Sequence, residues 1–257
     1  MIEHHVSHLP AGYQAASDCL HQRVILVTGA GSGIGRTMSL ALARHGATVI
    51  LLGRTLSTLE TLYDEIEAQK LPQPAIYPMN LQGATEADYR DLCNTLEAEF
   101  GQVHGILHNA GDLGDRTSVR DYTSATWERV MQVNVTAPFL LTQALLPLLE
   151  QVEDASVVFT SSGVAVRGRA FWGAYAASKA ASDNLMQTLA DEYEQRAVRF
   201  NSINPGATRT AMRARAYPAE DPQTLKTPEA LIPLYLYLLG SDSRTISGQW
   251  FDADTFD

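Results

Sequence analysis

The chain has 257 residues, 45% hydrophobic and 19% charged, which is enough apolar material for a buried core and argues against disorder. Its 29 acids against 19 bases give a formal charge of −10, so nucleic acid and anionic membrane surfaces are not expected partners. No apolar run reads as a membrane span, residues 1–10 lack the pattern of a secretory signal, and two distant cysteines, Cys19 and Cys93, point to a reducing, cytoplasmic setting without disulfides or a metal.

Residues 1–22 are polar and carry His4, His5 and His8; they read as a flexible or loosely docked arm. From Arg23 the pattern changes. Residues 24–27, Val-Ile-Leu-Val, form a short apolar run that predicts a strand buried on both faces. A helical period follows over 34–44 and stops at Gly46. Strands are expected at 48–52, 75–79 (weakened by Pro78), 105–108, 156–160, 198–203 and 249–252. Helices are expected at 56–69, 85–100, 124–149 with a kink at Pro138, 174–195 and 228–239, while 209–227 reads as irregular. Strands alternating with helices at this spacing imply right-handed crossovers. The expected fold is α/β: one doubly wound Rossmann-type domain over 23–257, with a seven-stranded, mostly parallel sheet and helices on both faces.

The first strand turns into its helix through Thr28-Gly29-Ala30-Gly31-Ser32-Gly33-Ile34-Gly35. A helix start offers unpaired N–H groups and partial positive charge, and glycines let a pyrophosphate approach them. A glycine-rich run alone is a weak signal, but its place between a strand and a helix is the context a dinucleotide site requires. A carboxylate at the end of the second strand would favour NAD; here stands Gly53-Arg54, and an arginine suits a 2′-phosphate. NADP is therefore the expected cofactor and NAD the weaker alternative.

Tyr175 and Lys179 are spaced i, i+4, which puts them on one helical face about 6 Å apart along the axis. An ammonium beside a phenol favours phenolate and brings proton transfer toward neutral pH. Ser162 lies thirteen residues before Tyr175 at a strand end, where doubly wound folds hold ligands; Ser161 is the alternative hydroxyl.

With Asn109-Ala110-Gly111, Asn134, and Pro205-Gly206 followed by Thr210, these motifs make residues 23–252 resemble the short-chain dehydrogenase/reductase family. The segments around 24–29, 131–149, 172–179, 204–212 and 226–228 resemble its YciK-type proteobacterial members, which supply no substrate. The resemblance implies an oxidoreductase moving hydride between a nicotinamide and a carbonyl or alcohol. It gives Tyr175 the proton transfer and Ser162 the polarisation of the carbonyl oxygen. Lys179 would hold the nicotinamide ribose and lower the Tyr pKa, and Asn134 a water linking Lys179 to solvent. Cofactor contacts would come from Gly29, Ser32, Gly33, Ile34, Gly35, Arg54, Asn80, Leu81, Asn109, Ala110, Gly111, Tyr175, Lys179, Pro205, Gly206, Thr208 and Thr210.

Three departures stand out. His108 precedes Asn109 where the family usually has Asn, Asn80 stands where an Asp usually receives the adenine amino group, and the C-terminal segment lacks the usual glycine pair. The helices at 124–149 and 174–195 resemble those of the family's dimer interface, which implies a homodimer or homotetramer. A substrate lid is expected at about 209–228. Arg167, Arg169, Arg209, Arg213 and Arg215 flank the expected mouth and suggest an anionic substrate, unless they pair with Glu220 or Asp221. A non-catalytic dinucleotide binder or redox sensor on the same fold is the alternative function; it would need only the glycine loop and Arg54. Residues 57–100 carry nine acids and two bases, so most of the negative charge belongs to two outer helices and leaves the mouth locally basic.

Overall fold

Residues 6–255 are described by the computed structural model. In chain order they form β1 (Val6–Ser7), β2 (Val24–Thr28), α1 (Gly33–Arg44), β3 (Thr48–Gly53), α2 (Leu56–Ala68), β4 (Ala75–Pro78), α3 (Glu86–Phe100), β5 (Gly105–His108), α4 (Ser124–Met131), α5 (Ala137–Leu149), β6 (Ala155–Thr160), α6 (Gly163–Val166), α7 (Gly173–Glu192), β7 (Val198–Asn204), α8 (Ala211–Ala216), α9 (Ile232–Leu239) and β8 (Trp250–Asp252).

The strands lie in one sheet, in the order β1-β8-β7-β6-β5-β2-β3-β4, and every pairing is parallel. Every residue of β2 is buried, because alternate side chains feed two different cores. Ile25 and Val27 pack with Met38, Leu42, Leu59 and Leu238 on one face, and Leu26 packs with Leu52, Leu141 and Leu145 on the other. Each such side chain, fully buried, contributes about 1.5–3 kcal/mol. The chain runs outward from β2 to β4, then returns to place β5 on the other side of β2. The carboxyl ends of β2 and β5 flank that reversal, which is where an open α/β sheet forms its crevice.

The opposite end of the sheet is tied by charge. Asp154, before β6, takes Arg23 Nη1 at 2.8 Å and also pairs with Arg199 of β7, with all three side chains less than a tenth exposed. Ser241 donates to the same carboxylate at 2.9 Å, and Arg199 also donates to the carbonyls of Leu238 and Gly240.

Several expectations change. The sheet has eight strands, because Val6 and Ser7 pair with Trp250 and Phe251. The arm is docked rather than loose: Leu20 is fully buried, and the Tyr13 hydroxyl donates to Asp242 at 2.8 Å while its ring meets Tyr237 edge-on. His4 and His5 lie outside the described residues.

The helix expected over 124–149 is broken by a π-helical turn at Gln132–Thr136. The break lies before Pro138, which sits in the first turn of α5. Pro138 has no N–H for the Asn134 carbonyl one turn back, and that carbonyl takes the Ser182 hydroxyl instead, at 2.6 Å. Contrary to the reading of apolar runs, Ser124–Leu149 is long and apolar enough to cross a membrane by length and composition. Here that apolar face packs inward, with Val130, Leu141, Leu145 and Leu148 buried. The segment read as irregular contains α8, capped where Thr210 Oγ1 accepts the Arg213 N–H at 3.1 Å.

Candidate active site

Two turns meet at the sheet reversal. Gly29 has φ +68°, and a Cβ there would stand 3.0 Å from Ala110 Cα. A Cβ on Gly35 would strike the Gly29 carbonyl and lie 2.5 Å from Asn109 Nδ2, so the helix start rests directly on the strand end. Thr28 joins the two turns: its hydroxyl accepts the N–H groups of Asn109 and Ala110, both at 3.0 Å. Asn109 Nδ2 donates back to the Thr28 carbonyl at 3.2 Å. Asn109 therefore staples the glycine loop to the turn after β5.

Ser32 stands at the N-terminal boundary of α1 with an exposed side chain that makes no capping bond, and the helix start formed by Gly33, Ile34 and Gly35 opens on the crevice. Thr210 faces Gly33 across it, with Thr210 Cγ2 3.6 Å from a Cβ built on Gly33. Pro205, Gly206 and Thr208 form the turn below, where Thr208 Oγ1 donates to the Pro205 carbonyl at 2.9 Å. Arg54 is exposed just after β3. Asn80 is exposed too, but its Oδ1 already accepts the Gln82 N–H at 3.2 Å, and Leu81 beside it is buried. Small residues, helix N–H groups and an exposed cation thus line one edge, and this donor set fits a dinucleotide phosphate.

The second group comes from the end of β6 and the face of α7. Three consecutive strand-end residues meet three helical residues spaced four apart. The Thr160 carbonyl takes Lys179 Nζ at 2.6 Å. The Ser161 hydroxyl donates to Asp183 Oδ2 at 2.5 Å. The Ser162 hydroxyl lies close enough to the Tyr175 phenol to pull its pKa down. Lys179 Nζ stands 5.7 Å from the centre of the Tyr175 ring. The Ser161 hydroxyl also takes Trp250 Nε1 at 3.1 Å and is buried, so of the two serines Ser162 is the one that faces the phenol.

Electrostatics in this group differ from the sequence reading. Burial pushes the Tyr175 phenol up to about 12, against the Ser162 hydroxyl, which pulls it down, and with the Asp183 charge pushing it further up. Burial pulls Lys179 down to about 8, and Asp183 opposes that. Desolvation is the largest influence on the phenol, in place of the lowering by the ammonium that the spacing suggested. Burial pushes Asp183 up, against the Ser161 hydrogen bond and the Lys179 charge.

Asn134 sits in the π-helical turn with its side chain fully held. Its Nδ2 donates to the Asp112 carbonyl and to Ser178 Oγ, each at 2.9 Å, and its Oδ1 accepts the Asp112 N–H at 2.7 Å. Gly111 lies between the two partners expected to share a water: a Cβ there would be 3.6 Å from Asn134 Oδ1 and 3.8 Å from Lys179 Nζ. His108 is buried, with Nε2 2.8 Å from Thr142 Oγ1, and burial with the Lys179 charge pulls it down to about 3. It is a neutral packing residue against Phe159.

Next to Tyr175 the wall is apolar: Leu113, Val164, Trp172 and Ala216 pack with it, and Met212 and Tyr217 lie against them. The five-arginine mouth is smaller than expected. Arg213 forks onto Glu220 through two 2.6 Å bonds, and Arg209 donates to the Pro222 carbonyl at 2.7 Å. Arg167, Arg169 and Arg215 stand exposed. A sixth arginine, Arg116, was missed. Its guanidinium lies 4.2 Å from the Trp172 ring centre and 5.2 Å from that of Tyr217, and it donates to the Ala216 carbonyl at 2.9 Å. It ties α8 down beside Tyr175. Nothing in its loop sequence signals that role. Asp183 was missed as well, although its place four residues after Lys179 marks it.

The short chain dehydrogenase family profile matches residues 23–221. The uncharacterized oxidoreductase YciK of Escherichia coli (strain K12) is 52% identical over 241 residues, which cover 94% of this chain and 95% of that protein. A short chain dehydrogenase of Shigella flexneri 2a, solved in complex with NADP, superposes with TM-score 0.91 at 51% identity, covering 93% of this chain and all of that one. One from Escherichia coli CFT073, complexed with NADPH, also gives 0.91 at 51% identity, covering 93% and 99%.

Proposed function

The chain belongs to the short chain dehydrogenase family, and from that premise we propose that it is an NADP(H)-dependent oxidoreductase acting on a carbonyl or alcohol through Tyr175. The observation that carries this reading is the convergence of Ser162, Tyr175 and Lys179 where the strand end meets α7. Two features support NADP: the start of α1 after the glycine loop, with Ser32 and Gly33 exposed, and Arg54, exposed where a 2′-phosphate would need a cation. The crystallised relatives complexed with NADP and NADPH support the same choice.

NADPH, when bound, supplies the hydride that reduces a carbonyl carbon. The carbonyl oxygen is held by the Ser162 hydroxyl and receives the Tyr175 proton, so one C–H and one O–H bond form as the C=O π bond breaks. A phenol pushed up to about 12 keeps that proton at neutral pH, which favours the reductive direction. Lys179, pulled down to about 8, can pass a proton on to the phenolate near neutrality. The apolar wall of Leu113, Val164 and Trp172 keeps water from the reacting carbon. The substrate's reacting end is thus apolar, and any anionic end falls to the exposed Arg167, Arg169 and Arg215. Unpaired Cys19 and Cys93 accord with a cytoplasmic setting, and Phe139, 43% exposed on α5, with a homo-oligomer packed through that helix.

Tyr175→Phe tests the mechanism. NADPH binding, followed by fluorescence, should stay within twofold of wild type while turnover of a carbonyl panel falls at least a thousandfold. Retained turnover would refute the role of Tyr175. A wild-type protein that binds NADPH and reduces nothing would favour the non-catalytic binder.

A further inference from the structure

We propose that Asp183 is a positioning residue of the reaction, holding Ser162 toward Tyr175 through Ser161. The proposal rests on the reading of Tyr175 and Ser162 given above and extends it to the next turn of the helix.

Tyr175, Lys179 and Asp183 are spaced i, i+4 and i+8, so they form one row along α7. The end of β6 answers that row with three consecutive residues. A clasp made at Thr160, Ser161 and Ser162 fixes the strand end in both position and twist. Asp183 closes its middle link. Its carboxylate is only 7% exposed, and Oδ2 receives the Ser161 hydroxyl at 2.5 Å. The same hydroxyl oxygen accepts Trp250 Nε1 at 3.1 Å, and the Ser161 N–H donates to the Ile203 carbonyl at 2.7 Å. Ser161 is therefore held from α7, β7 and β8 together.

Ser162 is held more lightly, its carbonyl accepting the Ala165 N–H at 2.9 Å. It follows Ser161 in extended backbone, half-buried, and opens the one-turn α6. Its hydroxyl is aimed only as well as Ser161 is fixed. A displacement of about 1 Å at a positioned group costs on the order of 100-fold in rate. A buried carboxylate is expensive unless it is held, so its presence in this row calls for a return. The return is a serine pair of which one member is spent to place the other.

Charge adds a readout that simple packing lacks. An ionised Asp183 raises the pKa of both Tyr175 and Lys179. Other titratable groups around the row are accounted for. His108 of β5 is neutral near pH 7, and Tyr235 of α9 lies 3.3 Å from Thr160 Oγ1 and is pushed far up by burial. Asp112, beside Asn134, is paired with Arg129 at 2.7 Å. From β8, Trp250 carries no charge and Asp252 takes the Asn204 amide at 3.0 Å. Asp183 is thus the acid whose removal the pair would feel.

The test uses the full chain with NADPH and an aromatic 1,2-diketone as probe, comparing wild type, Tyr175→Phe, Asp183→Asn, Ser161→Ala and the double variant Asp183→Asn/Ser161→Ala. Asp183→Asn should lower kcat tenfold or more, leave the NADPH Kd within twofold, and move the alkaline limb of the kcat profile to lower pH. Ser161→Ala should lower kcat to a similar extent without moving the limb, and the double variant should be no slower than Asp183→Asn alone. Additive losses, or an unmoved pH profile in Asp183→Asn, would overturn the proposal. If Asp183→Asn unfolds, Ser161→Ala still decides: a kcat within twofold of wild type overturns it. Tyr175→Phe separates the two readings, because an active Tyr175→Phe refutes the mechanism itself, whereas an inactive one beside an unaffected Asp183→Asn refutes only the inference.

Discussion

Asp154→Ala should be among the most damaging single substitutions in the chain, although Asp154 lies at the end of the sheet away from the active site. The substitution removes the carboxylate that Arg23 and Arg199 share and leaves two guanidiniums, 8% and 5% exposed, without their counterion. Breaking a buried pair by removing one partner costs about 3–5 kcal/mol, because the remaining charge stays desolvated. At about 2–4 °C per kcal/mol for a chain of this size, Tm should fall by roughly 6–20 °C. The control is Glu150→Ala, which breaks the Arg196–Glu150 pair, whose side chains are 59% and 38% exposed. That change should cost about 1 kcal/mol or less. Urea unfolding of both variants at one protein concentration gives the comparison, and turnover of folded Asp154→Ala at 15 °C should match wild type. Losses of equal size in the two variants would mean that water or a rearranged Ser241 replaces the carboxylate, and the argument from burial would fail.

Three further outcomes are expected. Arg54→Ala should raise the NADPH Kd by about 10- to 150-fold, the 1.5–3 kcal/mol of a charge-assisted bond, and change NADH by less than twofold; equal losses would remove the 2′-phosphate from that arginine. Gly35→Ala should weaken NADPH binding at least tenfold in titration, since its Cβ meets the backbone of Gly29 and the held amide of Asn109, and neither can step aside. Acid should destabilise the fold below about pH 6.5, because burial pulls His108 to about 3 and His104 to about 4, so the unfolded chain takes up protons that the folded chain refuses. Each histidine contributes up to ~1.4 kcal/mol per pH unit in that window, and His108→Gln should shrink the stability difference between pH 7.5 and 5.0 by about 2 kcal/mol. An unchanged difference would show that His108 protonates in place.

The parts of the fold that the sequence made legible are those where one local rule acts alone. Residues 24–27 read as a strand buried on two faces, and Gly29 and Gly35 marked the turn after it. Tyr175 and Lys179 announced themselves by helical spacing. What stayed hidden depends on distant partners. Val6 and Ser7 are a strand only because β8 offers an edge. The break at Gln132–Thr136 follows from a carbonyl freed by Pro138 and claimed by Ser182, 48 residues away from Asn134. The upward push on the Tyr175 phenol comes first from burial, which no spacing reports. The sequence left Arg213 open between an anionic ligand and Glu220, and the fork onto Glu220 decides it.

The two margins of the sheet bear on how the protein keeps to itself. On one side β4 ends in Pro78, which has no N–H to offer a newcomer. On the other, two residues of the arm cover a strand only three residues long. A sheet with a long bare margin is a template for further strands and so for aggregation. Here the arm acts as a seal: Val6 and Ser7 occupy the hydrogen-bonding positions opposite Trp250 and Phe251, and Ser7 locks to Gln249 at 2.8 Å. A chain shortened past Ser7 would keep its glycine loop and its tyrosine, yet it would carry an open β8 margin into every concentrated solution.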